Sequence, residues 1–443
     1  MTTFPDRVAD RPARRPGRNR GHVYPAPFVA SGAAGPVSAA RRALLRAAAG
    51  LMLLPAGPSA RGAARALTPL NAPQPVARLH ATSAGELMAV SSAGTLWQYE
   101  GRRWVERAAQ VDPGAPLASG HGRVVGRSAG GTLWVLEDGR PSVARGPVLA
   151  PHAGFVVLPF GVIAVASGGD GRAFAVRLEP SSGARWSETA RSTEPVLPDA
   201  RAVQAALDGA PGADPGHIVV LAGADAQRYP HGVLGDAIEP TRLLYLERHG
   251  LATLRSLTLP APYVFEDLAP RPIGWRARTG LLTVRSGPHG AQVAVVAADT
   301  ARQDALTVAA AGAPIGTVNR WLAPTTDGAR LLAVHTPHLG GVLHEYRADD
   351  DRLPSRIIAA GVSNHALGAR ELDLAAWVGP LLVLPAQDRR RLRVFDASSA
   401  WAEAPPVDLP SPVAETRPLA VDGRAGCVLR LDDGSVWWAQ PRA

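Results

Sequence analysis

The chain has 443 residues, 46% of them hydrophobic, with 46 glycines and 41 prolines: enough apolar material for a large core broken by many turns. All 47 basic residues are arginine, which excludes Schiff-base chemistry, and the single cysteine, Cys427, excludes an intrachain disulfide, a C-x-x-C-H haem attachment and a zinc knuckle. The formal charge of +9 lies wholly within residues 1–66, leaving 36 Arg against 36 acids in the remainder, so a bulk basic footprint for nucleic acid is excluded.

Residues 1–40 are rich in Arg, Pro and Gly without hydrophobic periodicity, which predicts a disordered stretch. Ala40-Arg41-Arg42-Ala43-Leu44-Leu45-Arg46 follows, then the apolar AAAGLMLLPAG, then Arg61 and Arg65, and a small-x-small site, Ala64-Arg65-Ala66, before Leu67. This order resembles a twin-arginine export signal, which implies a periplasmic protein that folds before it crosses the membrane. The apolar run is too short to span a bilayer, which takes roughly 20 residues, so no transmembrane segment is expected in the mature chain. The absence of a following Cys argues against a lipoprotein anchor.

The segment LTPLNAPQPVARL (67–79) opens a body that reads as strand, turn, strand throughout. Three stretches align almost without gaps: RLHATSAGELMAVSSAGTLWQYE, PLASGHGRVVGRSAGGTLWVLE and PLAVDGRAGCVLRLDDGSVWWAQ. Each is an apolar alternating run, a tight Gly turn and a second run reaching Trp, which is the pattern of a β-hairpin. Between them GRAFAVRLE, HIVVLAGA, TRLLYLERHG, TGLLTVRSG, AQVAVVAAD, ARLLAVHTP, GVLHEYRADD, GPLLVLPA and RLRVFDASS are short β-type runs. Only ARAVQAALDGA (200–210) and ARELDLAAW (369–377) suggest helix.

A hairpin recurring at both ends of a strand-rich chain predicts an all-β, seven- or eight-bladed β-propeller over residues 67–443. A pair of β-sandwiches is the alternative, and the terminal repeat argues against it. Cuts fall near 115, 152, 201, 263, 316, 369 and 415. The last piece is too short for four strands, so the segment after Leu67 is expected to supply the missing one and close the ring.

The G-T-L-W hairpins resemble the repeats of bacterial two-component sensor propellers and, less closely, of tectonin-type lectin propellers. The run Leu322-Ala323-Pro324-Thr325-Thr326-Asp327-Gly328-Ala329-Arg330-Leu331-Leu332-Ala333 resembles the turn of TolB-like propellers. Tyr229–Asp236 with Val264–Leu268 resembles integrin-type bacterial repeats, but their D-x-D-x-D-G calcium loop is absent. These resemblances imply the fold and assign no site.

Candidate functional residues follow from chemistry. Trp97, Trp134 and Trp437 are expected to wedge between blades, and Trp438, which alternates to the opposite side, to present an exposed ring for a ligand such as a sugar. His335 and His338, with His344-Glu345 on the next run, are candidate metal ligands beside a default of loop histidines. The long loop PHGVLGDAIEP carries His231, Asp236 and Glu239; Glu266-Asp267 opens the following innermost strand; and Asn364-His365 with Glu371 and Asp373 lies at a comparable junction. Carboxylates gathered at a propeller axis resemble the calcium site of gluconolactonase-type lactonases, so calcium or another divalent ion is the cofactor such a site would take. No H-E-x-x-H or P-loop motif occurs, Ser167–Gly171 reads as a hairpin turn, and Arg389-Arg390-Arg391 as a solvated turn. The reading is therefore an exported propeller that binds a periplasmic protein or a small-molecule or sugar ligand. The alternative is a metal-dependent hydrolase or lactonase, favoured only if Glu266, Asp267, Glu371 and His231 share one axial pocket.

Overall fold

The computed structural model describes residues 67–442 except 182–184, 208–215, 300, 303 and 373. Arg41, Arg42, Ala64 and Ala66, expected from sequence to form an export signal, residues 1–40 before them, and Asp373 lie outside the described residues.

The described chain forms eight antiparallel sheets, taken in chain order as blades 1–8. Blades 1–7 cover residues 76–108, 118–143, 156–191, 203–258, 264–312, 322–360 and 376–408. Blade 8 takes Val413–Val421, Arg424–Leu431 and Val436–Ala439, and its outermost strand is Leu67–Pro69 from the other end of the body. Leu67 pairs with Ala439, Thr68 with Trp438 and Pro69 with Trp437. The fold is thus an all-β, eight-bladed β-propeller.

Two local sequences read as helix contain a strand instead among their described residues. Val203–Ala205 is the innermost strand of blade 4, pairing with Ile218, and Ala376–Val378 is that of blade 7. Ala-rich composition favours helix only weakly, and ladder pairing with an apolar neighbour outweighs it. Among the described residues the helical turns are Gly232–Leu234 and Ala397–Ser399.

Stability comes from between the blades. Met88, Val90 and Leu96 of blade 1 pack on Val124, Trp134 and Leu136 of blade 2. Leu332 and Leu343 of blade 6 meet Leu382 and Phe395 of blade 7. Trp438, Val428 and Val436 of blade 8 meet Val76, Leu79 and Leu87 of blade 1. A central strand is therefore covered on both faces, which is why runs such as Val162–Ala166 are apolar at every position.

The repeated glycine has a definite task. Gly94, Gly131 and Gly434 all adopt positive φ (81°, 87° and 78°) in the turn before the Trp strand. Each carbonyl accepts a hydrogen bond from the chain entering the next blade: Gly94 from Val111 N (3.1 Å), Gly131 from Leu149 N (2.8 Å) and Gly434 from Val76 N (2.9 Å). A Cβ at Gly94 would also lie 2.6 Å from the Val111 carbonyl oxygen. The G-[TS]-[LV]-W repeat is thus a latch between consecutive blades as well as a turn, and the last copy latches blade 8 to blade 1.

Candidate functional site

In an up-and-down blade, the connection to the next blade and the turn between the second and third strands emerge on one face. That face carries loops 226–238, 313–321, 336–341 and 361–375, and two polar assemblies are built there.

The first ties the loops of blades 4, 5 and 6 together. The innermost strand of blade 5 breaks after Val264–Phe265 and resumes at Arg271–Trp275. Glu266 sits in the break, fully buried, with Oε1 2.5 Å from His231 Nδ1, and its other carboxylate oxygen accepts from the Ser286 hydroxyl. Its backbone carbonyl accepts from Trp321 Nε1 at 3.0 Å. Burial pushes the Glu266 carboxyl up, opposed by the His231 and Ser286 hydrogen bonds. Tyr229 packs edge-on to His231, accepts from Asn319 N at 2.8 Å, and is pushed up to about 12 by burial and then by Glu266.

Trp321 stacks on His338 and meets His365 edge-on. His365 Nε2 donates to the Ala369 carbonyl at 2.8 Å, which leaves its Nδ1 to accept from His338 Nε2 at 2.9 Å. Burial lowers His338 to about 4 and His365 to about 3, so both rings are neutral at pH 7. Ser286 gives its proton to Glu266 rather than to an imidazole, so the set lacks the nucleophile–base pairing of acyl transfer and acts as a brace. The loops it ties carry three exposed apolar side chains, Val318, Leu339 and Leu367, at 51%, 61% and 73% exposure.

The second assembly lies at the axis. A cavity of about 320 Å³ is lined by Arg78, Leu79 and His80 of blade 1, Leu117, Phe155, Arg201 and Ala202 at the entries to blades 2–4, Glu371, and Arg417 of blade 8. Arg78 binds Glu415 (2.9 Å) and the Gly114 carbonyl (3.0 Å), and lies 3.8 Å from Glu371. Arg417 grips both oxygens of Glu371 (3.2 and 3.4 Å). Burial pushes the Glu371 carboxyl up, but the guanidiniums of Arg417, Arg201 and Arg78 outweigh it and hold the group at about 2. Beside the cavity Arg370 bridges Asp199 (2.8 Å) and Asp236 (2.6 Å), and Arg201 donates to the Arg370 carbonyl. His80 is lowered to about 4 by burial and then by Arg417, and is neutral.

The residues singled out from sequence therefore disperse. Glu266 and His231 do meet, with the second carboxylate oxygen of Glu266 taken by Ser286. Asp267 caps Leu268 N and Ala269 N and pairs with Arg271 (3.0 Å), while Glu371 belongs to the arginines. His335 stacks on His344 with ring centroids 3.7 Å apart and meets the Tyr346 hydroxyl at 2.5 Å, whereas His338 turns to His365. His335, His338 and Glu371 do not converge, and among the described residues no group of three or more His, Cys, Asp or Glu is placed to hold a metal ion. A divalent ion does not fit these carboxylates as they stand: binding Glu371 or Asp267 would displace a guanidinium. Trp438 is a correction: it is buried against blade 1 at 6% exposure, because the opposite side of a blade faces a neighbour rather than solvent. Of the other repeated rings, Trp134 is buried between blades 1 and 2, and Trp97 and Trp437 are half-buried.

Sequence reasoning missed Arg78, Arg201, Arg271 and Arg417. The available signal was positional: each opens, or sits early in, the first apolar run of its blade, as in ARLH, ARAV, RPIG and TRPL.

Fold and face together define a β-propeller with a braced connection face and an arginine-lined axis. No protein-family model matches this chain, and no curated protein does either. Among solved structures, Sqt1 of Saccharomyces cerevisiae is similar with a TM-score of 0.53 and 11% identity, covering 83% of this chain and 97% of that one. BamB of Moraxella catarrhalis gives 0.51 and 13%, covering 85% and 98%. The computationally designed Ika8 protein gives 0.51 and 10%, covering 83% and 96%. Likeness at this identity is likeness of fold.

Proposed function

We propose that this chain is an exported β-propeller that binds another protein across its connection face. The observation that carries the reading is the trio Val318, Leu339 and Leu367, standing exposed on loops that the Trp321, His338 and His365 contacts hold together. Apolar side chains on rigidly braced loops are what a partner buries at small entropic cost. Propellers commonly serve as protein-binding modules, which supports the same reading.

Export through the twin-arginine route rests on Arg41-Arg42 and the apolar run after them. That route carries folded proteins, which suits a body whose first and last described strands pair. The hydrolase alternative loses support because its carboxylates are already committed to Arg417, Arg271, His231 and Ser286.

The test places a photo-crosslinking amino acid at Leu339, at Leu367 and, as control, at Ser83 on the opposite face of the full chain in its host. The expected result is one discrete adduct from the first two positions, none from Ser83, and loss of the Leu339 adduct when V318E and L367E are added. Adducts at all three positions alike, or at none, refute the reading. For export, the R41Q/R42Q variant is expected to remain in the cytoplasm, and unchanged delivery to the periplasm refutes that part.

A further inference from the structure

We propose that a second cavity, on the blade 5–8 side of the axis, binds one neutral monosaccharide. The Trp377 indole would meet the C–H surface of the sugar, and the hydroxyls of Thr325, Thr326 and Thr416 its oxygens. The proposal goes beyond the protein-binding face and does not rest on it.

The first argument is place and size. The cavity lies where the innermost strands of four consecutive blades come together, with Arg271 from blade 5, Thr325 from blade 6, Trp377 from blade 7 and Thr416 from blade 8 in its wall. Its volume is about 360 Å³. At about 30 Å³ per water that corresponds to roughly twelve waters, room for one pyranose ring.

The second argument is hydrogen bonding. Thr416 is buried at 1% exposure, and its hydroxyl oxygen has no hydrogen-bond partner among the described residues. A buried hydroxyl left unpaired is costly, and a ligand oxygen that meets it relieves the cost. Thr325 accepts from Trp377 Nε1 at 3.3 Å, and Thr326 accepts from Gly328 N at 2.9 Å. Neither hydroxyl proton has an acceptor among the described residues. Three hydroxyls in one wall suit a ligand whose own groups both donate and accept, as those of a sugar do.

The third argument is charge and the apolar wall. Both cations of the wall already hold a carboxylate: Arg271 pairs with Asp267 and Arg417 with Glu371. An acid would compete with those carboxylates, whereas a neutral ligand leaves both pairs in place. Ala375, Ala376, Pro418 and Trp377 supply the apolar surface. The indole keeps part of its surface exposed, and its bond to Thr325 and an edge-on contact with Trp401 hold it in place. A ring fixed beforehand gives apolar contact at small entropic cost.

The experiment titrates the full purified chain calorimetrically with D-glucose, D-galactose and D-mannose. D-glucuronate and cyclohexanol serve as the charged and the hydroxyl-poor comparator. At least one hexose is expected to bind one-to-one and at least fivefold more tightly than either comparator. T416V is expected to keep or raise the urea midpoint, since it removes an unpaired buried hydroxyl, and to weaken that hexose about fivefold. A375F, which adds a ring to the cavity wall, is expected to abolish binding and keeps the proposal testable should T416V unfold. No hexose binding to the wild type, undiminished binding by T416V or A375F, or a comparator as tight as the best hexose would overturn the proposal.

Discussion

Glu239 offers a sharp quantitative test of the electrostatics. It is the first residue of the strand Glu239–Leu246, buried at 2% exposure, and its Oε1 has no hydrogen-bond partner. Burial raises its carboxyl to about 10, and Glu266, Asp236, Asp199 and Asp267 add to the shift. The folded protein therefore holds Glu239 protonated at pH 7, whereas the unfolded chain releases that proton above about 4.5. The sign follows. A raised folded value contributes stability in full below about pH 4.5, and that stability is lost as pH rises toward about 10. At pH 7 the gap is about 2.5 units, or about 3 kcal/mol at 1.36 kcal/mol per unit.

Gln has nearly the same shape and no proton to lose, so E239Q is expected to be more stable than the wild type by about 2–3 kcal/mol at pH 7 and nearly equal to it at pH 4. With an unfolding entropy of about 2.1 cal/mol/K per residue over roughly 370 residues, that gain raises Tm by about 3 °C. Urea unfolding of both proteins at pH 4, 5.5, 7 and 8.5 reads the effect. The difference should grow by somewhat over 1 kcal/mol per pH unit above pH 5. A constant difference across that range, or a less stable E239Q at pH 7, refutes the reasoning.

Two further outcomes are expected. His80, His335 and His338 are lowered to about 4 and His365 to about 3, chiefly by burial, so their contribution is complete above about pH 6.5 and is lost as pH falls toward 4. In the E239Q background, which silences one of the raised carboxyls opposing this trend, the urea midpoint should drop steadily from pH 7 to pH 4.5; a flat profile sinks the idea that these rings are neutral. G341A would set its Cβ 1.6 Å from the Val362 carbonyl oxygen, an overlap that only a backbone shift removes. It should cost more than about 3 kcal/mol and unfasten the blade 6–7 connection, seen as faster hydrogen exchange at 361–371, and wild-type exchange there counts against it.

The blade grammar was legible because it is local. A Gly turn between two apolar runs lies within some twenty residues, and six of the seven division points set from such runs fall between the observed blades, while the seventh, 415, falls two residues inside Val413–Val421. Even the borrowed strand was legible, since the final piece is visibly short. The axial site was not, because its bonds join residues far apart in sequence: Arg78 and Glu415 are separated by 337 positions, Arg370 and Asp199 by 171. No local pattern distinguishes such an arginine from a solvated one. Trp438 failed for a different reason. Alternation correctly set it opposite Trp437, but exposure does not follow from alternation when both sides of a sheet are covered.

The seam between Leu67–Pro69 and Val436–Ala439 also imposes a timetable. Roughly 370 residues separate the two strands, so at about 5–20 residues per second a ribosome delivers the second some 20–70 s after the first. Through that interval the blade 1 surface of Val76, Leu79 and Leu87 has no Trp438 to cover it, and Leu67–Pro69 has no ladder to join. The growing chain must be shielded, or tolerate its own stickiness, for most of its synthesis. A polypeptide that stops before Val436 would leave both the apolar face of blade 1 and the edge of Leu67–Pro69 uncovered.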